Sequence, residues 1–314
     1  MMKETAKKIS NGFMSFTIGN RGQNGLLFKS FVYILLIGIG FVYLYPLLYM
    51  GSYSLKSLDD ILNPLVNWIP TQLYFDNFSK ADQVLSFLPT LAETLYVTAL
   101  PAIVQTAVAS IIGYGFARFE FPFKKTLLVF VLATFIIPPQ LTMIPRYVFF
   151  NELGFLGNIQ SFLLPAMLGQ GLNSAIFILI FYQFFRMIPK SLEEAAQLDG
   201  AGFLRVFIVI AIPMAVPAFI ISFLFSFVWY WNETYLAALY FGNELTTLPL
   251  ELNKFVATYQ KLYSAGGDEA TGDTINEGIR MAGTMLTILP LLVVYFLTQK
   301  WFVEGIDRSG ITGE

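Results

Sequence analysis

The sequence predicts an all-α, polytopic membrane protein with six transmembrane helices. Three observations carry that prediction. The 314-residue chain is 56% hydrophobic and only 13% charged, where a soluble domain carries about 25% charged residues. Its mean hydropathy is +0.63. Several apolar runs reach the roughly 20 residues that a helix needs to cross a bilayer. Composition also excludes chemistries. There is no cysteine and no histidine, which removes disulfides, Cys/His metal sites and His-based triads. No cofactor or metal is expected. The G-x-x-x-x-G-K-[ST] phosphate loop is missing from the sequence, so the chain is not expected to bind ATP in that manner. A net charge of -2 gives no electrostatic case for nucleic acid.

The spans follow in order. An N-terminal segment, 1–27, precedes a first span at 28–50, "FKSFVYILLIGIGFVYLYPLLYM". This run is too long for a signal-peptide core and no A-x-A-like site follows it. An external loop, 51–90, carries Asp59, Asp60, Asp76 and Asp82. Residues 91–302 form a core of five further spans: 91–117, 126–145, 161–185, a run from near Pro213 to about Phe241, and 281–300. A second external loop, 242–280, contains the Gly- and Asp-rich "SAGGDEATGD", a flexible composition. Residues 303–314 are the tail. Either external loop reads as a solvated connection or as a docking surface for an external partner.

Orientation is set by Lys and Arg near the span ends. Segments 1–29, 118–125 and 186–212 and the tail hold thirteen of the 19 basic residues, and the opposite side holds six, Arg146 among them. Both termini and the 186–212 loop are therefore predicted to be cytoplasmic.

That loop contains "EEAAQLDGAG", residues 193–202, a polar patch between apolar runs. Ser191 and Glu194 fit S-x-x-E, a capping box, which predicts a short helix over 192–198. Gly200 and Gly202 permit a sharp turn, and a second helix starts at Phe203 and runs toward Pro213. The expected product is a helix–turn–helix at the inner membrane face. Glu194 either caps its own helix or contacts a cytoplasmic partner. Ala195 and Ala196 are small enough to let another protein approach the helix closely. Elsewhere, "WYWNETY" places Trp229, Trp231, Asn232 and Glu233 in the outer half of span five. The rings of Trp229 and Trp231 offer apolar faces, and Asn232 and Glu233 hydrogen-bonding groups, to a translocated ligand. The same residues also fit an interfacial aromatic belt. Glu93 reads as snorkelling or capping, and Gln105 and Asn173 as inter-helix hydrogen bonds. Pro138-Pro139 and Pro145 are expected to break a helix near the outer surface, as a cavity wall or as a span end.

"EEAAQLDGAGFLRVFIVIAIP" resembles the EAA loop of bacterial ABC importer permeases: Glu194-Ala195-Ala196, three residues, Gly200, nine residues, Ile210, and Ile212-Pro213 in place of Leu-Pro. "FFRMIPKSLEEAAQLDGA", "GYGFARFEFPFKK" (113–125), "IPPQLTMIPRYVFFNELGFLGN" (137–158), "WYWNETYLAALYF" and "TTLPLEL" are similar to the carbohydrate branch related to the maltose and glycerol-phosphate systems, in the same order. The resemblance covers about residues 30–305. The tail "VEGIDRSGITGE" departs from the branch's usual ending.

The resemblance implies the type I ABC importer permease fold in a bacterial inner or plasma membrane. It implies a second homologous permease subunit, two ATP-binding cassette ATPase subunits and an extracytoplasmic solute-binding protein as partners, with a sugar, expected to be an oligosaccharide, as substrate. The chain itself is then a transport subunit and not an enzyme. Glu194, Ala195, Ala196, Asp199, Gly200 and Ala201 are the implied ATPase-coupling residues, and Trp229, Trp231, Asn232 and Glu233 are candidates for the substrate path. The alternative is a secondary transporter acting without an ATPase. Such a protein typically shows midplane charges and matched broken helices, which this sequence does not display convincingly.

Overall fold

The computed structural model describes residues 19–20, 23–263 and 275–310, with side chains for 25–263 and 275–301. The stretch "SAGGDEATGD" and the basic residues Lys3, Lys7, Lys8 and Arg21 lie outside the described residues. The described chain is helical, apart from a two-residue antiparallel pairing of Gly19–Asn20 with Gln23–Asn24. It divides into two compact units, Met1–Asn77 with Asn276–Ala282, and Phe78–Ile275 with Gly283–Glu314.

In the first unit, α1 (Leu26–Ser54) has 29 residues, a rise of about 44 Å. Its apolar side chains point all round and remain exposed within the chain. Such a helix is stable only in lipid or against other apolar helices. Its last turns stack Tyr49 on Tyr53 at 4.1 Å. Beyond it the chain ties a polar knot. The Lys56 ammonium donates to the carbonyls of Val66 (3.1 Å) and Asn67 (2.6 Å) and lies 4.1 Å from the Tyr53 ring centroid. Asp60, in α2 (Leu58–Leu62), accepts from the N–H (2.9 Å) and hydroxyl (2.6 Å) of Thr71. This acidic residue of the predicted external loop therefore holds the segment's own fold together.

The second unit is organised on one long helix. After α3 (Asp76–Leu85) comes α4 (Phe87–Arg118), 32 residues and about 48 Å long. Its buried face repeats about every fourth residue: Thr90, Thr94, Thr98, Ala102, Gln105, Ala109, Gly113, Ala117. These are mostly small, so neighbouring backbones come close. The threonines satisfy themselves: Thr94 donates to the Thr90 carbonyl (2.6 Å) and Thr98 to that of Thr94 (2.6 Å). No hydroxyl on that stripe is then left unpaired in an apolar setting.

The helices that follow are α5 (Lys124–Ile136), α6 (Pro139–Glu152), α7 (Gln160–Met167), α8 (Ser174–Met187) and α9 (Lys190–Leu198). Next are α10 (Phe203–Met214), which contains a π turn at Phe207–Ala211, and α11 (Val216–Asn232). Last are α12 (Thr234–Phe241), α13 (Leu248–Tyr263) and α14 (Glu277–Gly310). α8 and α11 pack on α4. The buried rings Phe177, Phe181 and Phe185 of α8 fill the seam.

Three helices, Leu26–Ser54, Phe87–Arg118 and Glu277–Trp301, are each long and apolar enough to cross a bilayer. Three further helix pairs are long and apolar enough only when taken together, and each is bent at a short break: by 94° between α5 and α6, 71° between α8 and α9, and 76° between α10 and α11. Counting each pair once gives up to six candidates by length and composition, the number the sequence predicts, and the α8–α9 bend marks the turn out of the fourth apolar run into the polar helix of the 186–212 loop. The third span bends because Pro138 lacks an N–H and Pro139 takes the first position of α6. Pro145 makes no break: it sits inside α6, which corrects the expectation for that residue. The fourth span divides between α7 and α8, and the fifth divides again at Glu233.

The tightest point of the seam is Gly113. A Cβ there would lie 2.6 Å from the Phe181 Cβ and 2.9 Å from the Tyr182 backbone nitrogen. Neither atom is the end of a flexible side chain. We predict that Gly113→Ala lowers stability by about 1–3 kcal/mol, the usual cost of overpacking, and Gly113→Val by more. Thermal melts of the detergent-purified chain would read this, and unchanged melts for both would show that the seam can open freely.

Candidate functional site

Two places in the second unit concentrate polar groups: the α9–α10 connection and a cavity at the far end of α8. The connection is built by its punctuation. Pro189 fixes the backbone before α9, and the helix starts at Lys190 with no side-chain cap. Ser191 is then already helical and exposed. The expected Ser191/Glu194 capping box does not form, because Pro189 takes the cap position two residues earlier. The C-terminus closes on Gly200, whose φ of +86° suits glycine. Gly200 N–H donates to Gln197 O (3.0 Å) and Ala201 N–H to Ala196 O (2.9 Å), the paired bonds of a Schellman turn. Gly202 is in ordinary extended backbone (φ -70°, ψ 162°), so the turn depends on one glycine and not on two.

α9 shows two faces. Glu194, Ala195, Asp199 and Gly200 are exposed, and Ala196 and Ala201 are half-buried. Glu194 makes no side-chain hydrogen bond among the described residues. Leu198, at the tip, is 89% exposed and Leu204 71%, so apolar surface surrounds the acid. The inward face carries Glu193, which is buried. Arg118 Nε donates to its Oε1 (2.7 Å), and the Tyr114 hydroxyl donates to Oε2 (3.3 Å). Arg118 Nη2 also donates to Ile188 O (2.9 Å). The rings of Phe185 and Phe207 lie 5.2 and 4.7 Å from that of Tyr114, and Phe119 packs on Phe203. These rings exclude water from the ion pair and strengthen it.

Nearby, Glu120 is held below the usual carboxylate range by a hydrogen bond from Lys124 (2.9 Å) and by that ammonium's charge. Its exposure leaves it screened and of little structural weight. The sequence reading missed Glu193 because the motif begins at Glu194. Neighbouring residues lie about 100° apart on a helix, so two adjacent acids need not share a face. Arg118, ending a long apolar run, was the available partner.

The two acids should separate by experiment. Glu193→Gln leaves Arg118 buried without its counter-charge and should cost about 3–5 kcal/mol. Glu194→Gln should stay within about 0.5 kcal/mol of the parent, as exposed substitutions do. Melting curves of the two purified variants give the comparison, and equal stabilities would refute the assignment of Glu193 as the anchor.

The cavity, about 350 Å³, lies where three helix interruptions meet: the α5–α6 break, the 168–173 connection and Glu233 between α11 and α12. Its polar lining includes Gln140, Arg146, Gln170, Asn173, Ser174 and Glu233. Gln105 anchors the irregular wall, donating to Leu172 O (2.7 Å) and accepting from the Tyr230 hydroxyl (2.8 Å). Asn173, in left-handed backbone (φ 51°), turns the chain into α8, and its side chain makes no hydrogen bond among the described residues. Of the four span-five candidates, Glu233 alone lines the cavity. There its Oε1 accepts from Leu236 N–H (2.9 Å) and caps α12. Trp231 is buried against Phe227 (5.6 Å), Trp229 packs on Phe177 (5.2 Å), and exposed Asn232 donates to Val228 O (2.9 Å). Glu93 caps no helix among the described residues: its Oε2 accepts from Thr246 N–H (3.0 Å), two residues before α13, and so ties α4 to that connection. The sequence reading counted Arg146 only as an external charge. Its position one residue after the predicted third span was the signal for a cavity residue.

The chain is similar to several known proteins. A family profile described as "Binding-protein-dependent transport system inner membrane component" matches residues 105–308. The chain is 30% identical to the "Probable ABC transporter permease protein YurM" of Bacillus subtilis (strain 168), over 90% of this chain and 87% of that one. It is 26% identical to the "Melibiose/raffinose/stachyose import permease protein MelC" of the same organism, over 85% and 91%. A solved structure of a bacterial ABC transporter involved in the import of the acidic polysaccharide alginate superposes with a TM-score of 0.72 at 24% identity, over 87% of this chain and 96% of that one. The profile matched over residues 105–308 and the relative 30% identical over 90% of the chain lead to one conclusion: the chain belongs to the family of binding-protein-dependent transport system inner membrane components.

Proposed function

We infer that this chain is a permease subunit of an ATP-driven importer that moves a sugar, most simply an oligosaccharide. The saccharide reading is supported by relatives named for melibiose, raffinose and stachyose import, for polygalacturonan and rhamnogalacturonan transport and for starch degradation products. The importer acts with an ATPase and a solute-binding protein. Its assembly is proposed as two homologous permease subunits, two ATPase subunits and one external binding protein. Both termini and α9 face the cytoplasm in this reading, in line with the excess of Lys and Arg there.

The observation that carries the coupling role is the contrast between adjacent acids. Glu193 anchors α9 from inside, while Glu194 stands exposed beside Ala195, Ala196 and the apolar tip. A helix fixed at its base with an open polar and apolar face is suited to receive a protein groove. In the mechanism, closure of the ATPase pair pushes this face. Glu193 and Arg118 pass the movement to α4, and α8 passes it directly toward the cavity, because one end of α8 leads into α9 and the other lines the cavity. Substrate-loaded binding protein and ATP then select between outward- and inward-open states through their differential contacts. The 14 residues of α8 rise about 21 Å, so the cavity lies in the outer half of a layer about 30 Å thick.

Gly200→Val forces a β-branched residue into left-handed backbone and should misplace the α9 face. Uptake of labelled oligosaccharide in cells is expected to fall at least ten-fold while the variant still inserts in the membrane. Glu194→Cys is expected to cross-link to a co-purifying ATPase. Normal uptake by the glycine variant together with no cross-link would remove the coupling role from this loop.

A further inference from the structure

We propose that the cavity bounded by Arg146, Gln170, Ser174 and Glu233 is a subsite for a sugar unit carrying a carboxylate, so that the imported saccharide is acidic. The proposal deepens the importer reading and rests on it.

Irregular backbone inside a membrane protein is tolerated where it is buried in protein or lines a cavity. Here three interruptions on different helices open on one cavity. Its walls hold polar groups that nothing in the described chain uses. The Ser174 hydroxyl is buried, lines the cavity and has no hydrogen-bond partner among the described residues. A second, smaller cavity shares Arg146, Gln170 and Leu236 with the first, and there the buried Tyr240 hydroxyl is likewise unpartnered among the described residues. Buried polar groups left without a partner are rare unless water, an ion or a ligand satisfies them.

The charges decide the ligand's sign. Glu233 is engaged: its Oε1 accepts from Leu236 N–H at the start of α12, where the helix end favours an anion. Arg146 has no ion pair and no side-chain hydrogen bond among the described residues. Arg146 is therefore the charged group on the cavity wall whose hydrogen-bonding capacity is wholly free among the described residues, while one Glu233 oxygen is already bound to backbone. A guanidinium binds a carboxylate through two parallel N–H donors, and the amides and hydroxyls around it suit sugar hydroxyls. The volume, about 350 Å³, stands near the lower end of the roughly 300–1,000 Å³ typical of small-molecule sites, which suits the end of a saccharide chain.

The test uses the whole importer complex in lipid nanodiscs, without its solute-binding protein, so that the binding protein's own preference does not enter. Saturation-transfer NMR would compare a galacturonate trisaccharide with the neutral galactose trisaccharide. Tighter binding of the acidic probe is expected. Arg146→Met should raise its Kd at least ten-fold and leave the neutral probe unchanged, with Arg146→Lys in between. Ser174→Ala, a smaller change, should weaken the acidic probe several-fold and serves if Arg146→Met fails to assemble. Equal binding of the two probes, no binding of either, or an acidic-probe affinity untouched by both substitutions would overturn the subsite. The importer reading would survive those results, since it is judged separately by ATPase co-purification and uptake.

Discussion

The close contact between α4 and α8 is the constraint on which the second unit depends. In an apolar solvent, helices gain little from burying hydrocarbon against one another and must associate by packing and hydrogen bonding. The α4 stripe of Thr, Ala and Gly meets that requirement: it removes side-chain bulk where Phe181 and the Tyr182 backbone approach. The long rings of α8 can then reach past α4 and join α11 in a single core. With α4 fixed, its C-terminus presents Tyr114 and Arg118 to α9, and Gln105 reaches the cavity wall. One helix thus supports both candidate sites.

The Arg118–Glu193 pair illustrates how position rather than net stability explains a buried charge. Bringing two ions out of water costs nearly as much as their attraction returns, so an apolar pair of similar volume would hold the fold about as well. What the ion pair adds is direction. The guanidinium also binds Ile188 O, and Tyr114 takes the second carboxylate oxygen, so α9 has one orientation relative to α4. Glu194, one residue on, is consequently held outward. The exposed Lys124–Glu120 pair has none of this geometry.

The broken spans follow the same logic at the other end of the fold. Each break leaves backbone groups that need partners, and each has a specific remedy. Pro139 has no N–H to satisfy at the start of α6, Glu233 caps α12, and Gln105 binds Leu172 O. The breaks are thereby stable, and the space they surround carries polar groups among apolar walls.

The sequence by itself determined the all-α class, the apolar runs and the polar loop between the fourth and fifth, because these depend on composition and on local pattern. It also placed the Gly200 turn, since a positive φ is a local demand that glycine meets. It could not choose between Glu193 and Glu194, or tell that Trp231 is buried while Glu233 lines a cavity. It likewise could not show that Pro138 breaks a helix that Pro145 does not. Those outcomes depend on which face of each helix meets which neighbour. That is fixed only when residues 75 positions apart in sequence, as Glu193 is from Arg118, come within hydrogen-bonding distance and exclude water together.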